Sequence, residues 1–304
     1  MTDRPGVRLW LPLMRLVAWI WRFRTLALSA RLFGDVRASW ILRRPFLGCT
    51  IFVDVSRSSV QRLIYLEGER FVAERPLVRE LARAGYTVVD VGANIGYYTL
   101  LFESVIGPSG RIIAFEPEPD NLVELRANVN RNGLNNVTIH PYAVGSCGGT
   151  VSFARGINGG VRENEESVAG DAVQVPMVTL DDALTGPVDL IKVDVEGYEE
   201  EVLLGAVKTL QACRPALFVE IHPRLMTSGR SVDRVINLLV GYDPEVEFYQ
   251  PARGQSTLRK GLSRYGVVNG YERLPRHEAI VARCQRGLQD TFWAACHAGR
   301  GRQR

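Results

Sequence analysis

The run Tyr86-Thr87-Val88-Val89-Asp90-Val91-Gly92-Ala93-Asn94-Ile95-Gly96 constrains this chain more than any other stretch. Tyr86 to Val91 is short, apolar and β-branched, the composition of a strand buried on both faces of a parallel sheet. Gly92, Asn94 and Gly96 then turn the chain, and Tyr97 to Ser104 reads as a helix. Glycines in such a turn let the backbone pass close to a ligand and take φ values closed to other residues. The helix beyond them offers N–H groups without intrahelical partners to an anionic group. This is a strand–loop–helix of the nucleotide-binding kind. Its spacing is G-x-N-x-G, not the G-x-G-x-x-G of dinucleotide binders. A second strand, Arg111 to Phe115, ends in Glu116, placed to accept hydrogen bonds from ribose hydroxyls. Asp90 is out of place in a buried strand. A carboxylate there suits either a cationic amine or the N–H groups of its own loop.

The chain around this run alternates strands and helices, the pattern of an α/β fold. Cys49 to Val55 reads as a strand and Leu77 to Ala84 as a helix, followed after the glycine loop by a helix over 121–131 and a strand over 137–140. Ala143, Val144 and Gly145 are small and mostly apolar, suited to the flat face of an adenine ring. Strands are expected over 148–153 and 173–178, with the glycine-rich, acidic segment 156–170 between them as a loop. Asp181 is the expected N-cap of a short helix. Residues 189–194 form the next buried strand, 199–213 one helix, and 216–221 a further strand ending in Glu220 and His222. A helix over 231–240 and final strands over 246–249 and 279–282 close the domain, with a loop-rich 251–277 shaping an acceptor pocket.

Five blocks, VDVGANIGYYT, AFEPEPDN, VTLDD, DLIKVDVEGYE and VEIHP, occur in that order. They resemble the FkbM-type S-adenosylmethionine-dependent methyltransferases over roughly Tyr65 to Pro223. The resemblance implies a Rossmann-like class I methyltransferase sheet, mostly parallel with helices on both faces. It also implies O-methylation of a sugar, glycan, glycolipid or secondary-metabolite hydroxyl. The residues expected to hold the cofactor are Asp90, Gly92, Asn94, Gly96, Glu116, Ala143 and Val144. Glu67 and Glu69 either face it or are exposed acids at a helix end.

Lys192, Asp194 and Glu196 share a period of two, so an extended chain points them to one side. They are either catalytic or a structural ion pair, since a buried lysine needs a partner. His222 is the first candidate base because its ordinary pKa lies near neutrality. Asp194 and Glu196 follow, with Glu220 beside them, and a core histidine bonded to a carbonyl is the competing account of His222. No ligand spacing demands a metal on Asp194, Glu196 and Glu220, and none is expected. RNA methylation and a non-catalytic cofactor-binding scaffold are the rival functions. Asp194-Val195-Glu196-Gly197 stands where amine-methylating enzymes carry Asn/Asp-Pro-Pro-aromatic, which favours a hydroxyl acceptor and makes nucleic acid an unlikely partner.

Charge is uneven. Residues 1–44 hold nine arginines against Asp3 and Asp35, and the C-terminus ends in Arg300, Arg302 and Arg304. The expected organisation is a basic helical extension over 1–48, a methyltransferase domain over 49–285 and a basic tail over 286–304. The extension either packs on the domain or makes peripheral contact with a membrane through residues 1–44. Leu9 to Trp21 is interrupted by Pro12 and Arg15, short of the ~18 apolar residues of a span. Five scattered cysteines without C-x-x-C spacing argue against a disulfide framework or a zinc site, and make the cytoplasm the default location.

Overall fold

The structure, a computed structural model, describes residues 41–55, 57–58, 60–61, 64–65, 74–154, 161–162, 172–226, 229–253, 268–274, 277–285 and 291–297. The membrane contact and basic helix expected of residues 1–40, Glu67 and Glu69, and the terminal arginines lie outside these residues. The described part begins with a hairpin, β1 (Ile41–Phe46) and β2 (Cys49–Asp54), paired antiparallel. Its two-residue turn carries positive φ at both Leu47 and Gly48, as the twist of a tight hairpin demands. Residues 41–46 are therefore strand, not the end of a helical extension.

Next come α1 (Glu74–Leu81), β3 (Thr87–Val91), α2 (Tyr97–Ile106), β4 (Arg111–Phe115), α3 (Pro119–Arg131) and β5 (Val137–His140). A small sheet follows, of β6 (Ala143–Val144), β7 (Gly149–Ala154), β8 (Val161–Arg162) and β9 (Ala172–Val178), in the order β6-β9-β7-β8. The strand β8 falls inside the segment expected to be loop and pairs with Ser152 and Phe153. The rest of the chain supplies α4 (Leu180–Ala183), β10 (Leu190–Val193), α5 (Glu199–Leu204), α6 (Val207–Cys213), β11 (Ala216–Ile221) and α7 (Val232–Tyr242). It ends with β12 (Glu247–Arg253), β13 (Val268–Arg273), α8 (His277–Gln285) and β14 (Phe292–Cys296).

The main sheet has the order β13-β12-β14-β11-β10-β3-β4-β5. The five strands from β11 to β5 are parallel, and β14 runs antiparallel between β11 and β12. Side chains alternate along each strand. Val89, Val91, Ile191, Val193, Leu217 and Val219 pack in one layer with α5 and α7. Val88, Ile112, Leu190 and Phe218 pack in the other with α1 and α2. Both faces are covered, which is why these strands are apolar throughout. Strand order reverses between β3 and β10, opening a crevice at their carboxyl ends.

Four local expectations are corrected. The chain over 279–282 is helical, because Ile280, Val281 and Cys284 recur at helical spacing and only Ile280 is fully buried. The last strand is instead Phe292–Cys296, buried in the sheet, so the fold does not end at 285 and residues 292–296 are no tail. The helix expected over 199–213 breaks at Gly205, where a Cβ would stand 2.0 Å from the Gly145 carbonyl oxygen. The N-cap of α4 is Thr179, which accepts from Asp182 N–H at 3.0 Å. Asp181 instead accepts from the Lys208 and Thr209 N–H groups and caps α6 from outside.

The hairpin is held by two asparagines one turn apart, Asn128 on α3 and Asn132 as its C-cap. Asn128 accepts from Phe52 N–H at 2.7 Å and donates to the Phe52 and Ile95 carbonyls. Asn132 accepts from Thr50 N–H and donates to the Thr50 carbonyl. These amides meet the edge of β2 as a neighbouring strand would, and they seat the segment after it over the crevice.

Candidate active site

A cavity opens at the carboxyl ends of β3, β4 and β10. Its wall on the β3 side is the glycine loop, residues 92–95, and its wall on the β4 side is Glu116. Gly92 (φ 75) and Gly96 (φ 93) take left-handed backbone, and Asn94 does so at φ 50. At Gly92 the reason is close approach, since a Cβ would lie 1.8 Å from the Asp194 carbonyl oxygen. Asn94 N–H donates to Glu116 Oε2 at 2.7 Å, and Glu118 N–H donates to Glu116 Oε1 at 2.9 Å. Burial pushes the Glu116 carboxyl up to about 7 despite these bonds. Beside it, Phe115, Tyr142, Ala143 and Val144 line an apolar slot.

Asp90 does not line the cavity. Register places it beside Lys192, its neighbour on β10, and both lie under the loop. Lys192 Nζ is 3.1 Å from Asp90 Oδ1 and 3.8 Å from Asp194 Oδ2, and it donates to the Gly92 carbonyl at 2.9 Å. The other oxygen of Asp90 accepts from Thr99 Oγ1 at 2.7 Å. Burial alone would lower the Lys192 pKa, but the charges of Asp90 and Asp194 outweigh it and raise it. Asp90 and Lys192 are thus a buried post beneath the glycine loop. Gly96 likewise sits behind the wall as the left-handed residue that starts α2.

Asp194 and Glu196 line the far side of the cavity. Glu196 takes φ 52, so the chain has left the extended conformation before it. His222 packs behind them, with Nε2 at 3.8 Å from Asp194, 3.7 Å from Glu196 and 3.6 Å from Glu220. Its Nδ1 is 2.8 Å from Glu199 Oε1. Burial would lower the pKa of His222, yet Glu199, Glu220 and Asp194 together raise it well above the ordinary value. A histidine so placed holds its proton, which removes the reason for choosing it as base.

Seven of the residues named from the sequence line one cavity: Gly92, Asn94, Glu116, Ala143, Val144, Asp194 and Glu196. Five support it from behind: Asp90, Gly96, Lys192, Glu220 and His222. Sequence reasoning missed Glu199, fully buried against His222. It also missed Tyr198, Phe153 and the wall formed by Arg57, Ser58 and Gln61. Glu199 stands two residues after the DVEG run and is an acid within a buried helix turn, a signal open to reading. Arg57 carries none, because its ion pairs with Glu118, Asp120 and Glu124 bring together residues more than sixty positions apart.

Charged and apolar parts of the lining suit an adenosyl group. Glu116 offers a carboxylate, and the slot beside it is apolar. The family described as the methyltransferase FkbM domain matches residues 90–248, just over half of the chain. Hexuronic acid methyltransferase AglP of Haloferax volcanii is 30% identical over 175 residues, covering 56% of this chain and 70% of that protein. The 31-O-demethyl-FK506 methyltransferase FkbM of Streptomyces tacrolimicus is 29% identical over 157 residues, 40% of this chain and 60% of that protein. The 2-O-methyltransferase NoeI of Sinorhizobium fredii is 23% identical over 207 residues, covering 61% and 84% respectively.

Proposed function

The chain belongs to the FkbM methyltransferase family, and from that premise we propose that it methylates a hydroxyl of a sugar, a glycan or glycolipid, or a secondary metabolite. When bound, S-adenosylmethionine supplies a methyl group on a sulfonium: the C–S bond breaks with its electron pair left on sulfur, and a C–O bond forms. Glu116 would accept the two ribose hydroxyls, and Phe115, Tyr142, Ala143 and Val144, which line the slot beside it, would hold the base. Asp194 and Glu196 face the same cavity from the β10 side and serve to orient the acceptor hydroxyl and take its proton. Alignment of this kind supplies ~7–11 kcal/mol, and a general base typically adds ~10²–10⁴-fold. His222 packs behind both carboxylates, its Nε2 3.8 Å from Asp194 and 3.7 Å from Glu196.

The observation that carries this reading is the pairing, in one cavity, of a ribose-type acid on β4 with two carboxylates after β10. Phe153 and Tyr198 on the cavity wall give flat apolar faces of the sort that pack against sugar rings. The relative named for a hexuronic acid supports a sugar acceptor, and the one named for 2-O-methyl transfer supports transfer to oxygen.

Calorimetric titration with S-adenosylmethionine, and separately with NAD, tests the donor. Transfer of a tritiated methyl group to a panel of hexuronates, glycolipids and RNA then tests the acceptor. Micromolar binding of the first alone, with label on a sugar, is expected. NAD binding without S-adenosylmethionine binding, or label on RNA only, would overturn the proposal.

A further inference from the structure

We propose that Asp194, Glu220 and His222 bind a divalent metal ion of the Mn²⁺ type at the acceptor end of the cavity, with Glu196 in reach as a further donor. Ligand atoms of the first three all lie within 4.8 Å of one another. His222 Nε2 stands 3.6–3.8 Å from oxygens of Glu220, Glu196 and Asp194. That is too far for hydrogen bonds. It is the spacing of atoms sharing an ion, since two ligands about 2.1 Å from a metal stand roughly 3.0–4.2 Å apart.

A second observation, independent of the carboxylates, concerns the other ring nitrogen. His222 Nδ1 is 2.8 Å from Glu199 Oε1, and that same oxygen accepts from Gly197 N–H at 3.0 Å. Glu199 is fully buried. A carboxylate fixed on one imidazole nitrogen presents the other toward an ion, which is the usual outer arrangement around a metal-bound histidine.

Gathering Asp194, Glu220 and Glu199 around one imidazole inside the protein is costly without a cation. Lys192, 3.8 Å from Asp194, offsets one of these charges, and a divalent ion at His222 Nε2 would offset the others. One imidazole among hard oxygens favours Mn²⁺ over Mg²⁺ or Ca²⁺, which take oxygen alone. Glu220 and His222 are buried and Asp194 faces the cavity, so the coordination sphere is closed on the protein side and open toward the acceptor.

This inference rests on the O-methyl reading and narrows its acceptor. An ion here would draw a hydroxyl onto itself and make its proton easier to lose. With neighbouring positions open, it holds two adjacent oxygens, which selects a vicinal diol or a sugar acid over an isolated alcohol.

Protein stripped with EDTA and titrated with MnCl₂, with free Mn²⁺ followed by electron paramagnetic resonance, tests the site. Saturable binding at one site is expected, abolished by Glu220→Gln and by His222→Ala. Glu199→Gln is expected to weaken it ~10–100-fold, as a residue that positions the histidine. S-adenosylhomocysteine binding to each variant, measured by calorimetry, confirms that the fold is intact. Wild-type protein that binds S-adenosylhomocysteine but no Mn²⁺ at millimolar concentration would overturn the metal site and leave methyl transfer standing. Mn²⁺ binding unaffected by all three substitutions would also overturn it. Mn²⁺ binding without nucleoside binding would sink the methyl-transfer reading and support the metal site alone.

Discussion

Lys192→Met removes a charge while keeping most of the side chain's volume, so its cost measures the post under the glycine loop. In the wild-type protein Lys192 lies 3.1 Å from Asp90 Oδ1, donates to the Gly92 carbonyl and stands 4.8 Å from the centre of the Tyr98 ring. Asp90 has no exposure, and its carboxylate would keep only the bond from Thr99. Breaking a buried pair by removing one partner costs ~3–5 kcal/mol. Unfolding entropy of ~2.1 cal/mol/K per residue gives about 0.6 kcal/mol/K for a chain of this length. A loss of about 4 kcal/mol then lowers Tm by about 6 °C. Differential scanning calorimetry reads this directly. The double variant Asp90→Asn, Lys192→Met removes the fully buried pair and leaves only Asp194, which faces the cavity, without its lysine, so most of the loss is expected to return. A single variant that melts with the wild type, or a double variant no more stable than the single, would refute the reasoning. Lost turnover with unchanged Tm and unchanged S-adenosylhomocysteine affinity would place Lys192 in the reaction instead.

Glu116 provides a pH test. Its pKa is about 7 in the fold against 4.5 ordinarily, so its contribution to stability is full below pH 4.5 and is lost as pH rises through 7, by ~3 kcal/mol at most. Glu116→Gln removes this titration, and the difference in Tm between variant and wild type is expected to grow in the variant's favour from pH 4.5 to 7; a constant difference would count against it. Cofactor hydroxyls prefer the ionised carboxylate, so S-adenosylhomocysteine affinity of the wild type rises with pH toward 7, whereas the Gln variant binds about tenfold or more weakly with a flat profile. Asn128→Ala leaves the Phe52 N–H and the Ile95 carbonyl without this partner, at ~1–3 kcal/mol for each buried group, and hydrogen exchange is expected to quicken in residues 49–54 and not in 190–193. Exchange that quickens equally in both would mean that Asn128 supports the whole fold. Deleting residues 1–40, which leaves β1 whole, is expected to abolish binding to anionic liposomes; binding unchanged by the deletion would exclude a membrane role for the seven arginines it removes.

Gly92 makes a poorer probe of the cofactor than Glu116. An alanine there collides with the Asp194 carbonyl before it meets any ligand, so loss of activity would report packing. The glycine was read from the sequence as ligand clearance, and the structure shows it as clearance between two strand ends. His222 illustrates the reverse. Its position at a strand's carboxyl end was legible, but its raised pKa depends on Glu199 and Asp194 as well as on Glu220, and the first two come from other segments of the chain. A titrating group cannot be assigned a role until its neighbours are known.

Among the described residues, no helix is long and apolar enough to cross a membrane, and all five cysteines are free. What the amino-acid order determined alone is local: the buried β3, the glycine turn, the helix after it, Glu116 at the end of β4 and the run of carboxylates after β10. These follow from periodicity, backbone freedom and the residues a turn allows, all of which act over a few positions. Only the tertiary structure decided that Phe292–Cys296 inserts between β11 and β12, that Asp90 faces Lys192, that Glu199 grips His222, and that Arg57, Ser58 and Gln61 wall the cavity. Those outcomes depend on strand order, register and burial between segments distant in sequence. A single apolar pentapeptide or a lone acid carries no mark of the partner that the fold will bring to it.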